Sequence, residues 1–269
     1  MRKTGIIRIV FSLVLLYLVS SCSEFRKVQK SDDWKLKYDK AMEYYEDGDY
    51  YRSIALFEEV LPVTRGKIEG EKAQFYYAYA HFKDKQYILS AHYFKTFYET
   101  YSRSQFASEA QFMYAYSLYM SSPIYSLDQT STKDAIDAMQ AYINRNPKSE
   151  FVKEANDIIQ ELQVKLETKA YSNAKEYYKI GLLQSAKVAF ENFSKDYPDS
   201  KYNEELRYLK IEATFKVAQK SIPSKQKKRY NEVIELYEKF IDRYPESKYI
   251  GMAEKYYNSA LSSLEKKLS

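Results

Sequence analysis

The chain has 269 residues, of which 45% are hydrophobic and 29% are charged, so it can bury a sizeable core beneath a water-soluble surface. Its 6 Gly, 6 Pro, 2 His and 1 Cys argue against turn-rich all-β folds, glycine-loop nucleotide sites, His/Cys metal sites and a disulfide framework. The formal charge of +5 includes Arg2, Lys3 and Arg8 of the N-terminal leader. Without these three residues the chain has 39 basic and 37 acidic side chains, a balance that argues against nucleic-acid binding.

The N-terminus has the pattern of an export signal. Met1, Arg2 and Lys3 form a basic start, and residues 9–19 form an apolar run that is too short for a bilayer span of about 20 residues. Residues 18–22, Leu-Val-Ser-Ser-Cys, resemble the lipobox of bacterial lipoproteins. This resemblance implies cleavage before Cys22 and its lipidation, whereas the alternative is an ordinary secretory signal with a chance cysteine.

Two segments are therefore assigned to the leader region. Residues 1–21 are predicted to be the signal peptide, and residues 22–32 a short polar, lipidated tether. Ser23 is not Asp, and the usual sorting rule for such lipoproteins then favours the outer membrane. The predicted location is the outer membrane, lipid-anchored and facing the periplasm.

The body carries an internal repeat. The pattern Ala-x-x-Tyr-x-x-x-Gly-x-Tyr-x-x-Ser-x-x-x-Phe starts at Ala41, and related copies start at Ala78 and Ala174. Each copy has a small residue where two helices approach, then a turn residue, then an aromatic residue on the second helix. The pattern resembles the tetratricopeptide (TPR) repeat, in which helix pairs stack because no single pair can bury its apolar face alone.

Four similar corners connect successive pairs. The consensus is Phe-x-x-x-Tyr-Pro-x-Ser-x-Tyr, and it occurs at 97–106, 142–151, 193–202 and 240–249. Proline stops one helix, and the serine that follows is able to cap the next. The first corner has Ser102 in place of the proline.

These signals predict an all-α fold, a superhelical α-solenoid of about five TPR-like helix pairs with a C-terminal capping helix. Residues 33–146 are assigned to N-terminal repeats 1–3 and residues 147–269 to C-terminal repeats 4–5 and the cap. A long helix near 150–180 is predicted to bridge these two halves. The predicted pairs span about 34–62, 66–102, 104–146, 149–198 and 200–245, followed by a helix at 247–267.

The lipobox, the tether and the corners together resemble the BamD/ComL-like family of outer-membrane lipoproteins. The resemblance covers essentially the whole mature chain. It implies a non-enzymatic scaffold without cofactor or metal that binds the POTRA domains of a BamA-like barrel protein. It further implies that unfolded barrel proteins bind through a C-terminal signal ending in an aromatic residue, and that other accessory lipoproteins are possible partners.

Candidate binding residues follow from the TPR register, in which the first helix of each pair lines the concave face. The positions three before, one after and four after Ala41, Ala78 and Ala115 are aromatic in eight of nine cases. Rings supply apolar area and the Tyr hydroxyls supply hydrogen bonds, as a peptide groove requires. The predicted groove residues are Tyr38, Met42, Tyr45, Phe75, Tyr79, Phe82, Phe112, Tyr116 and Tyr119.

A second, partner-docking surface is assigned to Arg207 and Lys210 in the C-terminal half, by analogy with the family. No pattern points to catalysis or metal binding. His81 and His92 lie on different predicted helices without a third ligand, so structural roles are favoured.

Two other functions remain open at the level of sequence. One is a different periplasmic TPR adaptor that serves cell division, pilus assembly or peptidoglycan attachment, because such folds are generic protein-binding platforms. The other is a glycan-binding lipoprotein of the SusD type, but these are about twice as long and carry loop insertions that this chain lacks. The proteins that co-purify with the detergent-solubilised lipoprotein would distinguish a barrel protein with POTRA domains from division or pilus components.

We predict that Cys22 is the point of membrane attachment. Replacing Cys22 by Ala, with the signal otherwise intact, should block lipidation and leave the protein unanchored or unprocessed. Cell fractionation measures this directly. Recovery of the variant with outer membranes in the absence of its partners would contradict the lipoprotein assignment.

Overall fold

The structure is a computed structural model that describes residues 24–268, so the predicted signal peptide and Cys22 lie outside the described residues. Helices connected by turns and short loops make up this part of the chain, and no strand occurs in it. Residues 24–29 belong to a first helix, α1. The others are α2 Trp34–Glu46, α3 Tyr50–Val60, α4 Ile68–Lys83, α5 Tyr87–Thr100, α6 Ala107–Ser121, α7 Thr130–Arg145, α8 Val152–Lys179, α9 Leu183–Asp196, α10 Asn203–Gln219, α11 Pro223–Arg243 and α12 Ile250–Leu268.

The helices form the predicted pairs, and neighbours in sequence pack against each other. Helix α2 packs on α3, α4 on α5 and α10 on α11. First helices of successive pairs also touch, as α2 with α4 and α10 with the capping helix α12. This order of packing confirms the all-α, TPR-like repeat fold. Within residues 24–268, no helix combines the length and the apolar character that crossing a membrane requires.

The contacts divide the chain into two units, Met1–Leu162 and Gln163–Ser269. The division lies inside α8, the long helix predicted to bridge two halves, rather than before it at 146/147. The core of the N-terminal unit contains Phe57, Phe94 and Tyr142, and that of the C-terminal unit contains Phe190 and Phe240. Each unit therefore has an aromatic core of its own.

A left-handed residue makes the turn inside three of the pairs. Gly48 and Gly181 have φ values of 79° and 81°, and Lys85 has 61° at the equivalent position. Glycine adopts this region without a steric cost, whereas a side chain such as that of Lys85 is strained there. The turn positions predicted from the repeat are confirmed.

The corner serines stabilise the turn before the next helix instead of capping it as predicted, because Phe106 and Tyr202 occupy the cap positions of α6 and α10. At Ser104, Ser149, Ser200 and Ser247, the hydroxyl oxygen accepts a hydrogen bond from the backbone N–H two residues later. The first corner has the same geometry as the others although Ser102 replaces proline. The corner geometry therefore depends on the serine and the rings rather than on the proline.

Three of these serines also join successive pairs. The hydroxyls of Ser104, Ser200 and Ser247 donate to a glutamate on the first helix of the preceding pair, namely Glu71, Glu167 and Glu204 respectively. At the remaining corner, Ser149 shares a hydrogen bond of 2.6 Å with the hydroxyl of Tyr142. Each corner serine thus satisfies a backbone donor and holds a neighbouring helix.

The predicted polar tether is structured in its described part. Residues 24–29 are helical, the Val28 side chain is buried, and the Phe25 ring contacts Tyr44 of α2 at 5.9 Å between centroids. The apolar pair Phe25 and Val28, three residues apart, places one face of α1 on the first helix pair. Much of the segment predicted as a tether is therefore part of the folded body.

We predict that Ser200→Ala lowers the free energy of unfolding by about 1–2 kcal/mol, because the hydrogen bonds of its hydroxyl to the Tyr202 N–H and to Glu167 are both lost. Chemical denaturation followed by circular dichroism measures the change. Ser259→Ala is the matched control, since the Ser259 hydroxyl bonds only Lys255 of its own exposed helix surface. An equal effect of both substitutions would contradict the role assigned to the corner.

Candidate functional site

The predicted groove residues separate into a buried set and a partly exposed set. Phe75 and Phe112 are only 3% and 4% exposed, and Tyr38 is 9% exposed. The residues one and four after the small residue of these three pairs are all partly exposed, and all are aromatic except Met42. We call this second set the ring face of the N-terminal unit, and it comprises Tyr45, Tyr79, Phe82, Tyr116 and Tyr119.

The buried phenylalanines pack between repeats. Phe75 stacks on Phe106 with ring centroids 4.6 Å apart, and Phe112 stacks on Phe151 at 4.6 Å. Both partners are the aromatic residues that follow a corner serine. The prediction that Phe75 and Phe112 line an open groove is corrected, because their faces are already covered by the next helix pair.

The ring face is continuous from one helix pair to the next. Phe82 of α4 contacts Tyr116 of α6 at 5.7 Å, and Tyr116 contacts Tyr119 at 5.6 Å. Tyr45 of α2 reaches Tyr76 of α4 at 5.1 Å. Sequence reasoning missed Tyr76, because its position lies outside the three used in the register argument.

Glutamates hold the tyrosine hydroxyls of this face. The Tyr79 hydroxyl donates to Glu109, and the Tyr119 hydroxyl donates to Glu161 at 2.8 Å. Burial and then the bond to Glu109 raise the pKa of Tyr79 well above its ordinary value. The bond to Glu161 and then burial raise the pKa of Tyr119 to about 12. Both hydroxyls therefore stay protonated at neutral pH and remain hydrogen-bond donors.

A separate surface in the C-terminal unit contains the predicted docking residues. A cavity of about 300 Å³ lies between α9, α10 and α11. Its apolar part includes the buried side chains of Phe190, Leu206 and Phe240. The structure thus brings Arg207 and Lys210 to the lining of one cavity. The basic residues that line this cavity are Lys195, Arg207, Lys210 and Lys239.

The charge around this cavity is incompletely balanced. Glu191 is its one acidic residue and pairs with Lys195 at 3.0 Å and Lys210 at 3.3 Å. The hydrogen bond from Lys195, then the charge and hydrogen bond of Lys210, hold the pKa of Glu191 below its usual range. The Nε of Arg207 is buried and has no hydrogen-bond acceptor among the described residues. Such an arrangement favours an incoming anionic group.

The comparison with known proteins agrees with this repeat architecture. The model of the YfiO family, described as outer membrane lipoprotein, matches residues 30–179 and 164–266. The chain belongs to this family. A curated relative from Aquifex aeolicus (strain VF5), assigned as outer membrane protein assembly factor BamD, is 26% identical over 233 residues, which is 85% of this chain and 74% of the relative.

Membership of the YfiO family confirms the resemblance drawn from the lipobox, repeats and corners, and it associates the chain with the outer membrane. The two family matches overlap inside α8, the helix in which the two units divide. Cys22, the predicted lipidation site of this family member, lies outside the described residues.

The two histidines differ in burial. His92 is exposed, whereas His81 is buried beside Tyr93. The Nδ1 of His81 lies 2.9 Å from the Gln86 side-chain oxygen, and its buried Nε2 has no hydrogen-bond partner among the described residues. Burial lowers the pKa of His81 below its ordinary 6.5, so the ring is neutral at pH 7. Among residues 24–268, no group of three or more His, Cys, Asp or Glu side chains could hold a metal ion.

We predict that the two sets of rings differ in their effect on stability. Phe75→Ala should lower the free energy of unfolding by about 3–5 kcal/mol, since it removes a buried ring. Phe82→Ala, at a partly exposed position of the same helix, should cost clearly less. Thermal and chemical denaturation of the two variants give the comparison, and equal losses would show that the ring face is core rather than surface.

Proposed function

We propose that this chain is a lipid-anchored periplasmic scaffold in the assembly of outer-membrane β-barrel proteins. Family membership and the assembly-factor assignment of the Aquifex aeolicus relative support this role. The observation that carries the proposal is the presence of two chemically different binding surfaces, the ring face and the basic cavity. Each lies on its own unit, as expected of a protein that binds two kinds of partner and performs no catalysis.

The ring face is proposed to bind the C-terminal segments of unfolded barrel proteins. Such segments are strand-like and end in an aromatic residue. Tyr79, Phe82 and Tyr116 provide partly exposed rings on neighbouring helices, against which an incoming ring would bury its surface. Tyr38, Phe75 and Phe112 would support this surface from below instead of contacting the ligand.

The basic cavity is proposed to dock a POTRA domain of a BamA-like barrel protein. A docking domain would insert an apolar side chain between the buried Phe190 and Phe240 and place a carboxylate at Arg207 and Lys210. A guanidinium binds a carboxylate through two parallel N–H···O bonds, so Arg207 would fix the orientation of such a partner as well as its charge.

The anchor is proposed to be the lipid on Cys22, with the folded body in the periplasm. Glu24, the first described residue of α1, lies only two positions after Cys22. The packing of Phe25 and Val28 on the first helix pair therefore leaves a very short connection between the lipid and the body. Other accessory lipoproteins are possible further partners of such a scaffold.

We predict that Tyr79→Ala combined with Tyr116→Ala weakens binding of a barrel-protein C-terminal peptide about tenfold, equivalent to about 1.4 kcal/mol, because two ring contacts are lost. Binding of a POTRA fragment should be unchanged. Fluorescence anisotropy on the mature lipoprotein in detergent measures both affinities, with circular dichroism as the check of folding.

The reciprocal control is Arg207→Ala combined with Lys210→Ala, which should weaken POTRA binding and leave the peptide affinity unchanged. An unaltered peptide affinity in the tyrosine variant would mean that the rings serve packing alone. Equal loss of both affinities in the tyrosine variant would indicate damage to the fold. In that case the milder substitutions Tyr79→Leu and Tyr116→Leu replace the alanine substitutions.

A further inference from the structure

The glutamates near the ring face occupy a recurring position in the repeat. Glu109, Glu154 and Glu205 each lie five residues after a corner serine, near the start of the first helix of a pair. Glu109 and Glu205 each bond the residue that follows the small residue of the preceding pair, and the charge of Glu154 acts on the residue at the equivalent position. In the N-terminal unit those residues are Tyr79 and Tyr116, and in the C-terminal unit the residue is Lys175.

The C-terminal unit neutralises its glutamate. The Lys175 ammonium lies 2.8 Å from Glu205 and also donates to the Tyr171 hydroxyl at 2.8 Å. The three side chains thus form a closed group with one positive and one negative charge. Nothing in this group calls for an external cation.

The N-terminal unit has tyrosines where the C-terminal unit has this lysine. Tyr79 donates its hydroxyl to Glu109. Burial raises the pKa of Tyr116, and the charge of Glu154 raises it further. No Lys, Arg or His of the described residues forms an ion pair with Glu109 or Glu154. The ring face consequently combines aromatic rings with two carboxylates that lack a cationic partner in the described part of the chain.

We propose that the ring face binds a client segment through a lysine or arginine side chain beside its aromatic residue, with Glu109 and Glu154 as the pairing carboxylates. An aromatic ring and a carboxylate together favour a cation, since the π-electrons of the ring attract it and the carboxylate pairs with it. The same carboxylates repel an acidic side chain at that position, so a basic neighbour of the aromatic residue is preferred over an acidic one. This inference rests on the proposed function, because the client segment is its ligand.

The test uses the mature lipoprotein in detergent and three peptides that differ at one position beside a shared aromatic residue. That position carries Lys, norleucine or Glu, and all three C-termini are amidated. The Lys peptide should bind best and the Glu peptide worst. The advantage of Lys over norleucine should be about fivefold in low salt and smaller in high salt.

Glu109→Gln and Glu154→Gln should each reduce the ratio by which the Lys peptide binds more tightly than the norleucine peptide. The affinity for the norleucine peptide should stay unchanged. Glu205→Gln is the matched control at the same register position, and it should change neither affinity. Circular dichroism confirms that each variant is folded.

Equal affinities of the wild-type protein for the Lys and norleucine peptides would overturn the inference while leaving the proposed function intact. Tighter binding of the Glu peptide would also overturn it. Binding of all three peptides that is unaffected by Tyr79→Ala with Tyr116→Ala would place the ligand elsewhere, and would overturn the proposed function together with the inference.

Discussion

At each of the four corners, a ring of the first helix of one pair stacks on the ring that follows the corner serine. In the described part of the chain these four stacks have interplanar angles of 24°, 11°, 14° and 7°. A single helix pair cannot bury its apolar face alone, and this contact joins each pair from the second onward to the helix that follows its corner. The stacked pairs are Phe75–Phe106, Phe112–Phe151, Tyr171–Tyr202 and Tyr208–Tyr249.

The same contact explains which part of the candidate site sequence reasoning could identify. Periodicity placed the helices, the turn at Gly48 and the corner serines correctly, because these depend on local chemistry. It could not separate Phe75 from Tyr79, since both are aromatic and lie on the same side of α4. Their difference arises from Phe106, which is distant in sequence and covers one of them. Burial of this kind is set by tertiary contacts that a single helix does not encode.

Substitution at one repeated position changes the electrostatics of the two units. The residue after the small position is Tyr79 or Tyr116 in the N-terminal unit and Lys175 in the C-terminal unit. A tyrosine hydroxyl can donate to a glutamate but cannot neutralise it, whereas a lysine does both. The same helix-pair backbone therefore presents either an acidic aromatic surface or a neutral lysine–glutamate ion pair. The ring stacks at the corners are the same in both cases.

The two candidate surfaces consequently have opposite preferences for charge. At the ring face Glu109 accepts a hydrogen bond from Tyr79 and the charge of Glu154 acts on Tyr116, whereas Arg207 and Lys210 line the cavity of the C-terminal unit beside apolar side chains. An acidic side chain would therefore be favoured at the cavity and disfavoured at the ring face, and a basic side chain would have the reverse preference. Specificity is a difference of affinities, and repulsion of the wrong ligand contributes to it as much as attraction of the right one. Under the proposed function, this charge distribution would direct an acidic partner and a basic client segment to different surfaces without any change of fold.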